Sequence, residues 1–235
     1  MPAWTLSETP STIKRFDALT SPGNMPDCPT HLMLCIEPDA RADVTTASEI
    51  RVAQMFPPFR INFRVPCRHA ASIDLDREQS DRVATFVSDR DRETKELELS
   101  RRRSGAKMNR AQQYRIHPPF TPPRERTRYW RFSCVGFVLA AYADAGIRLV
   151  GTPESLVSLE DLKLHYPNPE LDDPNWRVRM GLDSSTMRWP VVFAGHVLHA
   201  MNREPEEIHG DAAFEFIAKD GDEYFPRRET AEPDN

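Results

Sequence analysis

A short apolar run around a single cysteine constrains the fold of this chain more than any other feature. Residues 131–146 read Arg-Phe-Ser-Cys-Val-Gly-Phe-Val-Leu-Ala-Ala-Tyr-Ala-Asp-Ala-Gly, which predicts a buried helix that begins at Cys134 and stops at Gly146. A thiol at a helix start faces backbone N–H groups without helical partners and the positive end of the helix dipole. Both favour the reactive thiolate, so Cys134 is the first candidate for a nucleophile. The alternative is a small, buried core residue, which is how most free cysteines behave.

Composition limits the size and the partners of the protein. At 235 residues the chain is long enough for one domain with appendages, and its 21 prolines and 29% charged residues predict polar insertions around that domain. We expect an N-terminal coil over 1–27, a single domain over 28–226 with a basic, proline-rich insertion at about 99–127, and a disordered tail over 227–235. The net charge of −5 argues against specific nucleic-acid binding.

The sequence also indicates a compartment and the absence of cofactors. Residues 1–15 lack the basic start and apolar core of a secretory signal, and no run of about 18 apolar residues predicts a transmembrane segment. The cysteines show neither a CxxC pair nor the spacing of a zinc site, so we expect free thiols, no metal or other cofactor, and a cytoplasmic location. These cysteines are Cys28, Cys35, Cys67 and Cys134.

Two strands and two helices are predicted ahead of the cysteine helix. Residues 31–37 are nearly all apolar, which is typical of a buried central strand. Residues 60–65 alternate polar and apolar side chains, as a strand with one wet face does. Helices are expected over 45–55 and 76–92, and the second of them is amphipathic.

A basic run separates these elements from the cysteine helix. Residues 100–116 contain six cations and no acid, which fits either a solvated insertion or a docking patch for an acidic or phosphate-bearing partner. Beyond the cysteine helix we expect a helix start at 152–154, a loop over 166–174, a helix over 191–202 and a short strand over 214–218.

A nucleophilic cysteine needs a base within hydrogen-bond reach. His31 stands at the first position of the predicted central strand, where its side chain can face the start of a packed helix. His196, in the Gly-His-Val run at 195–197, is the rival. Four other histidines lie beside prolines or in polar surroundings and are expected at the surface: His69, His117, His165 and His209.

The cysteine helix carries a resemblance to a known family. Residues 133–138, Ser-Cys-Val-Gly-Phe-Val, followed by Ala-Tyr and an Ala-Gly-Ile turn, resemble the nucleophile helix of NlpC-type papain-like cysteine peptidases. The motif of that family reads D-C-S-G-F-V, so Ser133 and Val135 stand where the family has Asp and Ser. The resemblance implies an α+β, papain-like NlpC-type fold, in which an antiparallel sheet packs on the nucleophile helix and a histidine on the sheet acts as the base.

Two branches of this family differ in the order of their elements. In the ordinary branch the histidine strand follows the cysteine, which would make His196 the base. In the circularly permuted branch, which includes YiiX-like hydrolases and the lecithin:retinol acyltransferase group, that strand comes first, which would make His31 the base. We favour the permuted order because residues 60–65 and 76–92 then match the strand and the helix that this branch places before its cysteine.

The resemblance implies a cysteine hydrolase or acyltransferase that acts on an amide, ester or thioester of a small-molecule, peptide or lipid acyl substrate. A polar side chain on a neighbouring strand would orient the histidine. Both Glu37 and Asn62 fit that description, and Glu37 is the one that we include in the site. The alternative function is a catalytically inactive papain-like binding module that docks through residues 101–115. A third hypothesis is an unrelated helix-rich scaffold, in which His31 and Cys134 lie far apart.

Overall fold

The structure is a computed structural model, and it describes residues 13–20, 31–38, 50–56, 58–65, 69–105, 113–114, 116, 120–121, 129–149, 157–165, 169–182, 188–189 and 191–201. Its strands are β1 (Ala18–Thr20), β2 (Leu32–Glu37), β3 (Ile50–Met55), β4 (Phe59–Val65), β5 (His69–Ala71), β6 (Phe120–Thr121), β7 (Arg131–Phe132), β8 (Val157–Ser158) and β9 (Arg188–Trp189). Its helices are α1 (Arg77–Ser104), α2 (Cys134–Asp144), α3 (Leu159–His165), α4 (Pro174–Arg179) and α5 (Ala194–Met201), with a 3₁₀ turn at Pro169–Asp172.

Five of the described strands form one antiparallel sheet, in the order β4–β3–β2–β1–β5. β2 pairs with β1 on one side and with β3 on the other, so that Leu34 lies opposite both Ala18 and Ala53. The prediction of a central strand over 31–37 is therefore confirmed, and β4 confirms the strand predicted over 60–65. The described chain is an α+β structure in which helices pack against an antiparallel sheet.

Both faces of β2 are buried, which explains why its sequence is nearly all apolar. Leu32 and Leu34 pack on one face with residues of α1 and α2. Met33 and Cys35 pack on the other face with residues of β1 and β3. Because α2 lies on the first face, its starting residue is brought close to the residue at which β2 begins.

Helix α1 is longer than the sequence predicted. A capping box begins it, since the Asp76 carboxylate accepts the N–H of Gln79 at 2.8 Å and the Gln79 side chain accepts that of Asp76 at 3.0 Å. It ends at Gly105, whose φ of 66° is the left-handed conformation that glycine favours at this position. The helix predicted over 76–92 is confirmed, but the basic run begins inside it. Arginines 101–103 form the last turn, where cations complement the helix dipole.

The helix predicted over 45–55 is wrong for its described part, because residues 50–55 form β3. The side chains of this segment divide between two faces of the sheet, as those of a strand do. Ile50 and Val52 pack in the cluster on the face away from α2, whereas Ala53 and Met55 pack in the cluster beside the helices.

Two segments predicted as irregular contain regular elements. The N-terminal coil over 1–27 includes β1, whose three residues are buried between β2 and β5. The loop over 166–174 includes the 3₁₀ turn and the start of α4, where the Asp173 carboxylate accepts the N–H of Asn175 at 2.9 Å and Pro174 occupies the first turn. The helix predicted over 191–202 is confirmed by α5. The predictions for 152–154, 214–218 and 227–235 lie outside the described residues.

No helix in the described part of the chain combines the length and the apolar character needed to cross a bilayer. Helix α1 is long enough at 28 residues, but charged side chains dominate its sequence. Helix α2 is apolar, but it contains only 11 residues.

The segment before β1 is strained and is held in place by β2 and α2. Phe16 has a φ of 71°, a conformation that non-glycine residues rarely adopt, and it is buried. Its N–H donates to the carbonyl of Cys35 at 2.7 Å, and its carbonyl accepts the hydroxyl of Tyr142 at 2.6 Å. Tyr142 thereby ties the C-terminal part of α2 to the N-terminal segment and the sheet.

Asp17 follows Phe16 and is a carboxylate with only 1% of its surface exposed. Burial raises its pKa to about 6, and the N–H that Lys14 donates to it at 2.6 Å offsets only part of this effect. The folded chain thus holds the proton more tightly than the unfolded chain, in which the ordinary pKa is 3.8. Asp17 therefore reduces the stability of the fold as the pH rises from about 4 through about 6.

We predict that Asp17→Asn stabilises the protein at neutral pH and leaves its stability in acid almost unchanged. The difference between the two pKa values corresponds to about 3 kcal/mol of unfolding free energy near pH 7, which is an upper bound for the gain. Urea unfolding of both proteins across this pH range measures it. Asp81→Asn, which replaces an exposed carboxylate on α1, is the control. Parallel stability curves for wild type and Asp17→Asn would contradict the prediction.

Candidate active site

Cys134 lies at the start of α2, and Ser133 caps that helix. Ser133 is extended, and its hydroxyl accepts the N–H of Gly136 at 3.0 Å. The helical ladder begins where the N–H of Phe137 donates to the carbonyl of Ser133 at 3.0 Å. The N–H groups of Cys134 and Val135 are therefore left at the helix start outside that ladder. The thiol is 3% exposed, so this polar end of the helix is almost closed to water.

His31 lies immediately before β2, and its imidazole and the thiol of Cys134 are hydrogen-bond partners. The Sγ atom of Cys134 also accepts the backbone N–H groups of Leu32 and Val135. The sulfur is thus surrounded by three N–H donors, one from a side chain, one from the sheet and one from its own helix. Such donors stabilise a thiolate more than a thiol.

The pKa values of the two groups shift in opposite directions. Burial raises the pKa of Cys134, but the hydrogen bond and charge of His31 and the N–H groups of Leu32 and Val135 lower it by more, so the net pKa lies below its ordinary value. Burial lowers the pKa of His31, but the hydrogen bond and charge of Cys134 and the bond to Gln54 raise it above its ordinary value. Both shifts favour a thiolate–imidazolium pair over the neutral pair.

Gln54 on β3 orients the histidine. Its Oε1 lies 2.7 Å from Nε2 of His31, and the Gln54 side chain is buried. An amide oxygen only accepts hydrogen bonds, so Nε2 carries a proton and Nδ1 is the nitrogen left for Cys134. The three residues form a relay from β3 through the start of β2 to the start of α2.

Glu37 does not have the orienting role that we assigned to it from the sequence. It lies at the far end of β2 from His31 and forms an exposed ion pair with Arg51. The strand register explains this difference. Glu37 pairs with Arg51 near the start of β3, whereas Gln54, which contacts His31, lies near the end of β3. Asn62, the alternative, lies on β4, and its side chain falls outside the described part of the structure.

Tyr114 is a further residue of the candidate site that sequence reasoning missed, and it interacts electrostatically with Cys134. Burial raises the pKa of its phenol, and so does the charge of the nearby Cys134. The hydroxyl therefore stays protonated and is able to donate a hydrogen bond. Tyr114 is bridged to Phe132, and the carbonyl of the preceding Gln113 accepts the N–H of Phe132 at 3.0 Å. These bonds hold Tyr114 against the residues that lead into Cys134.

Gln113 connects this segment to the sheet and to α1. Its side-chain N–H donates to the hydroxyl of Thr94 at 2.8 Å, and its Oε1 accepts the N–H of Phe59 at 3.4 Å. Gln113 and Thr94 are both buried, so the network is shielded from water. Tyr114 is therefore anchored from three directions, by α1, β4 and β7.

The structure does not describe the side chains of the other histidines. His196 lies in α5, where the ordinary branch would require a strand, and its side chain is outside the description. His165 ends α3 and His69 begins β5. His117 and His209 lie outside the described residues. Among the residues described, no three His, Cys, Asp or Glu side chains are grouped as a metal site would require.

We predict that His31→Ala raises the pKa of Cys134, because burial remains while the principal groups that stabilise the thiolate are lost. The rate of alkylation by iodoacetamide at about pH 7 should fall at least about tenfold, since the thiolate is the reactive form. Peptide mass spectrometry across a pH series gives the rate at each cysteine, and Cys28 and Cys67 serve as references in the same sample. Wild-type Cys134 should react faster than these references below about pH 8.5. An unchanged pH profile in His31→Ala would contradict the assigned contact.

Comparison with protein-family models, with curated proteins and with solved structures finds no match to this chain. A cysteine nucleophile requires a reactive thiol, a base next to it and a group that orients the base. The site contains a buried thiol with a lowered pKa, a histidine that interacts with it and a buried amide that orients the histidine.

Proposed function

We propose that this protein is a cysteine hydrolase or acyltransferase with Cys134 as nucleophile, His31 as general base and acid, and Gln54 as the residue that positions His31. The observation that carries the proposal is the relay of hydrogen bonds from Gln54 to His31 to Cys134, which joins two strands to one helix start. An amide, ester or thioester is the substrate class, because a thiolate attacks the carbonyl carbon of each.

We further propose that the fold is the circularly permuted form of the papain-like NlpC-type fold. The order of the described elements supports this assignment. The histidine at the start of β2 precedes the cysteine helix, and β3, β4, β5 and α1 lie between them. The two departures from the family motif are compatible with an intact site. Ser133 caps α2, a role that Asp also fills, and Val135 is a buried core residue.

The residues support a two-step reaction. In the first step the thiolate of Cys134 forms a bond to the carbonyl carbon, and the tetrahedral adduct then breaks the bond to the leaving group as His31 gives its proton to the leaving atom. The product of the first step is a thioester between the acyl group and Cys134. In the second step His31 takes a proton from water or from another acceptor molecule. The deprotonated water or acceptor attacks the thioester, and the thiolate of Cys134 is released. Gln54 keeps its hydrogen bond to Nε2 throughout, so Nδ1 stays directed at the reacting atoms.

Two kinds of donor are available for the oxyanion of the adduct. One is the backbone N–H of Cys134 at the start of α2, and the other is the hydroxyl of Tyr114, which interacts electrostatically with Cys134. Donors that are fixed before the reaction stabilise the developing charge without reorganisation. The bonds of Gln113 supply that fixation for Tyr114.

The proposal is tested with p-nitrophenyl acetate, an activated ester probe. We predict that wild type releases a burst of nitrophenol and carries an acetyl group on Cys134, detected by peptide mass spectrometry, whereas Cys134→Ala does neither. His31→Ala should lose about 10²-fold or more in kcat, as expected for the loss of a general base. Gln54→Ala should lose less and change the pH profile, and Gln54→Glu should recover part of the loss because it keeps an acceptor oxygen. An acetylation rate at Cys134 no higher than at Cys28 would overturn the enzymatic function.

We predict separately that Tyr114→Phe lowers kcat with little change in KM. The ring is kept while one oxyanion donor is lost, for which about a 10-fold to 10²-fold decrease is expected. Tyr142→Phe is the matched control, because it removes a buried hydroxyl from the C-terminal part of α2 and should affect stability rather than kcat. Equal kcat values for Tyr114→Phe and wild type would remove Tyr114 from the proposed mechanism.

A further inference from the structure

An exposed aromatic ring lies directly beside the proposed base. Phe56 follows β3, and 62% of its surface is exposed, although large apolar side chains elsewhere in the described chain are mostly buried. Its ring centroid lies 6.0 Å from that of His31, with an angle of 86° between the two planes. This edge-to-face arrangement is favourable for two rings. Phe56 thus presents an apolar surface to solvent at the margin of the site.

The backbone of β3 fixes Phe56 relative to the chemistry. Gln54 and Phe56 are two residues apart, and both contact His31. Between them Met55 is buried in the core beside the helices, which anchors this end of the strand. The end of β3 therefore sets the positions of both the Gln54 amide and the Phe56 ring relative to His31.

Apart from Cys134, the side chains shown to contact the imidazole are uncharged. They are Gln54, through a hydrogen bond, and Phe56, through an edge-to-face ring contact. Among the described residues, the charge that acts on the pKa of His31 is that of Cys134. A charged substituent of a substrate would find no opposite charge among these contacts, whereas an apolar substituent finds Phe56.

The proton transfer in the proposed reaction decides which part of the substrate meets Phe56. His31 must lie within hydrogen-bond reach of the leaving atom in order to protonate it. The substituent on the leaving atom therefore comes close to the imidazole, and Phe56 is the exposed ring that lies against the imidazole. The proposed donors for the carbonyl oxygen belong to other elements, the start of α2 and Tyr114.

We propose that Phe56 is a specificity-determining residue that binds an apolar, preferably aromatic, substituent of the leaving group. This inference rests on the proposed function and deepens it by naming the class of leaving group. In an acyl transfer the acceptor enters where the leaving group departed, so the same preference applies to the acceptor. In the test reaction below, a bond forms between Sγ of Cys134 and the acetyl carbon, the bond from that carbon to the leaving sulfur breaks, and His31 supplies the proton of the released thiol.

The test compares two acetyl thioesters whose leaving thiols are of similar acidity, benzyl mercaptan and 2-mercaptoethanol. We expect wild type to prefer the benzyl thioester in kcat/KM by about five- to tenfold, a factor within the range for one aromatic contact. Their rates of reaction with free cysteine correct for intrinsic reactivity. Phe56→Ala should reduce the preference to near one, and Phe56→Leu should keep part of it because the position remains apolar.

Two controls separate this preference from other effects. Val178→Ala removes a similarly exposed apolar side chain from α4, which carries no residue of the site, and should leave the preference unchanged. The second control keeps 2-mercaptoethanol as the leaving thiol and changes the acyl group from acetyl to phenylacetyl. This change should alter kcat/KM by the same factor in wild type and in Phe56→Ala.

The outcomes distinguish the inference from the function on which it rests. In one outcome both thioesters are turned over, the turnover requires Cys134, and the preference is the same in wild type and Phe56→Ala. This outcome would overturn the role of Phe56 and leave the enzymatic function in place. A Phe56 effect confined to the phenylacetyl comparison would also overturn it, because the ring would then bind the acyl group. Absence of Cys134-dependent turnover of either thioester would overturn the proposed function and this inference together. Since Phe56 is exposed, circular dichroism of Phe56→Ala should match that of wild type.

Discussion

The hydrogen bond between His31 and Cys134 is the interaction on which the arrangement of the site depends. It joins the residue before β2 to the first residue of α2, two points that are distant in sequence. Neither group is able to fill its role alone, because a buried thiol without a partner has a raised pKa and a buried imidazole has a lowered one. The bond reverses both tendencies, and it requires that α2 pack on the central strand with its N-terminus at the right end.

The rest of the structure holds α2 in that position. Ser133 fixes its start, and Tyr142 ties its C-terminal part to the carbonyl of Phe16. The residues between them are buried from Cys134 to Tyr142, so the helix has little freedom to rotate or slide. A helix held at both ends and buried along its length can place one sulfur atom among three N–H donors with little variation.

The sequence predicts the parts of the site that have a local signature, but not the parts that depend on strand register. Cys134 stands at the start of an apolar helix, and His31 stands at the start of an apolar strand, so their positions follow from patterns within single elements. The sequence offered Glu37 and Asn62 as the orienting residue, whereas Gln54 of β3 is the residue that contacts His31. The pairing of β3 with β2 brings Gln54 there, and the segment containing Gln54 was itself predicted as a helix. Tyr114 has no local pattern at all, because long-range bonds of Gln113 position it.

The polarity of this site argues for chemistry rather than for structural support. An apolar trio of similar volume at the three positions would pack without the cost of desolvating an imidazole and a thiolate, and replacement of buried charged pairs by apolar residues is often neutral or stabilising. Cys134 and Gln54 are both buried, and the polar side chain of each interacts with His31, which lies between them. A binding module would gain nothing from a lowered thiol pKa, whereas a nucleophile requires it. The exposed ring of Phe56, which lies edge-to-face against His31, is consistent with the same interpretation, since it offers an apolar surface next to the imidazole.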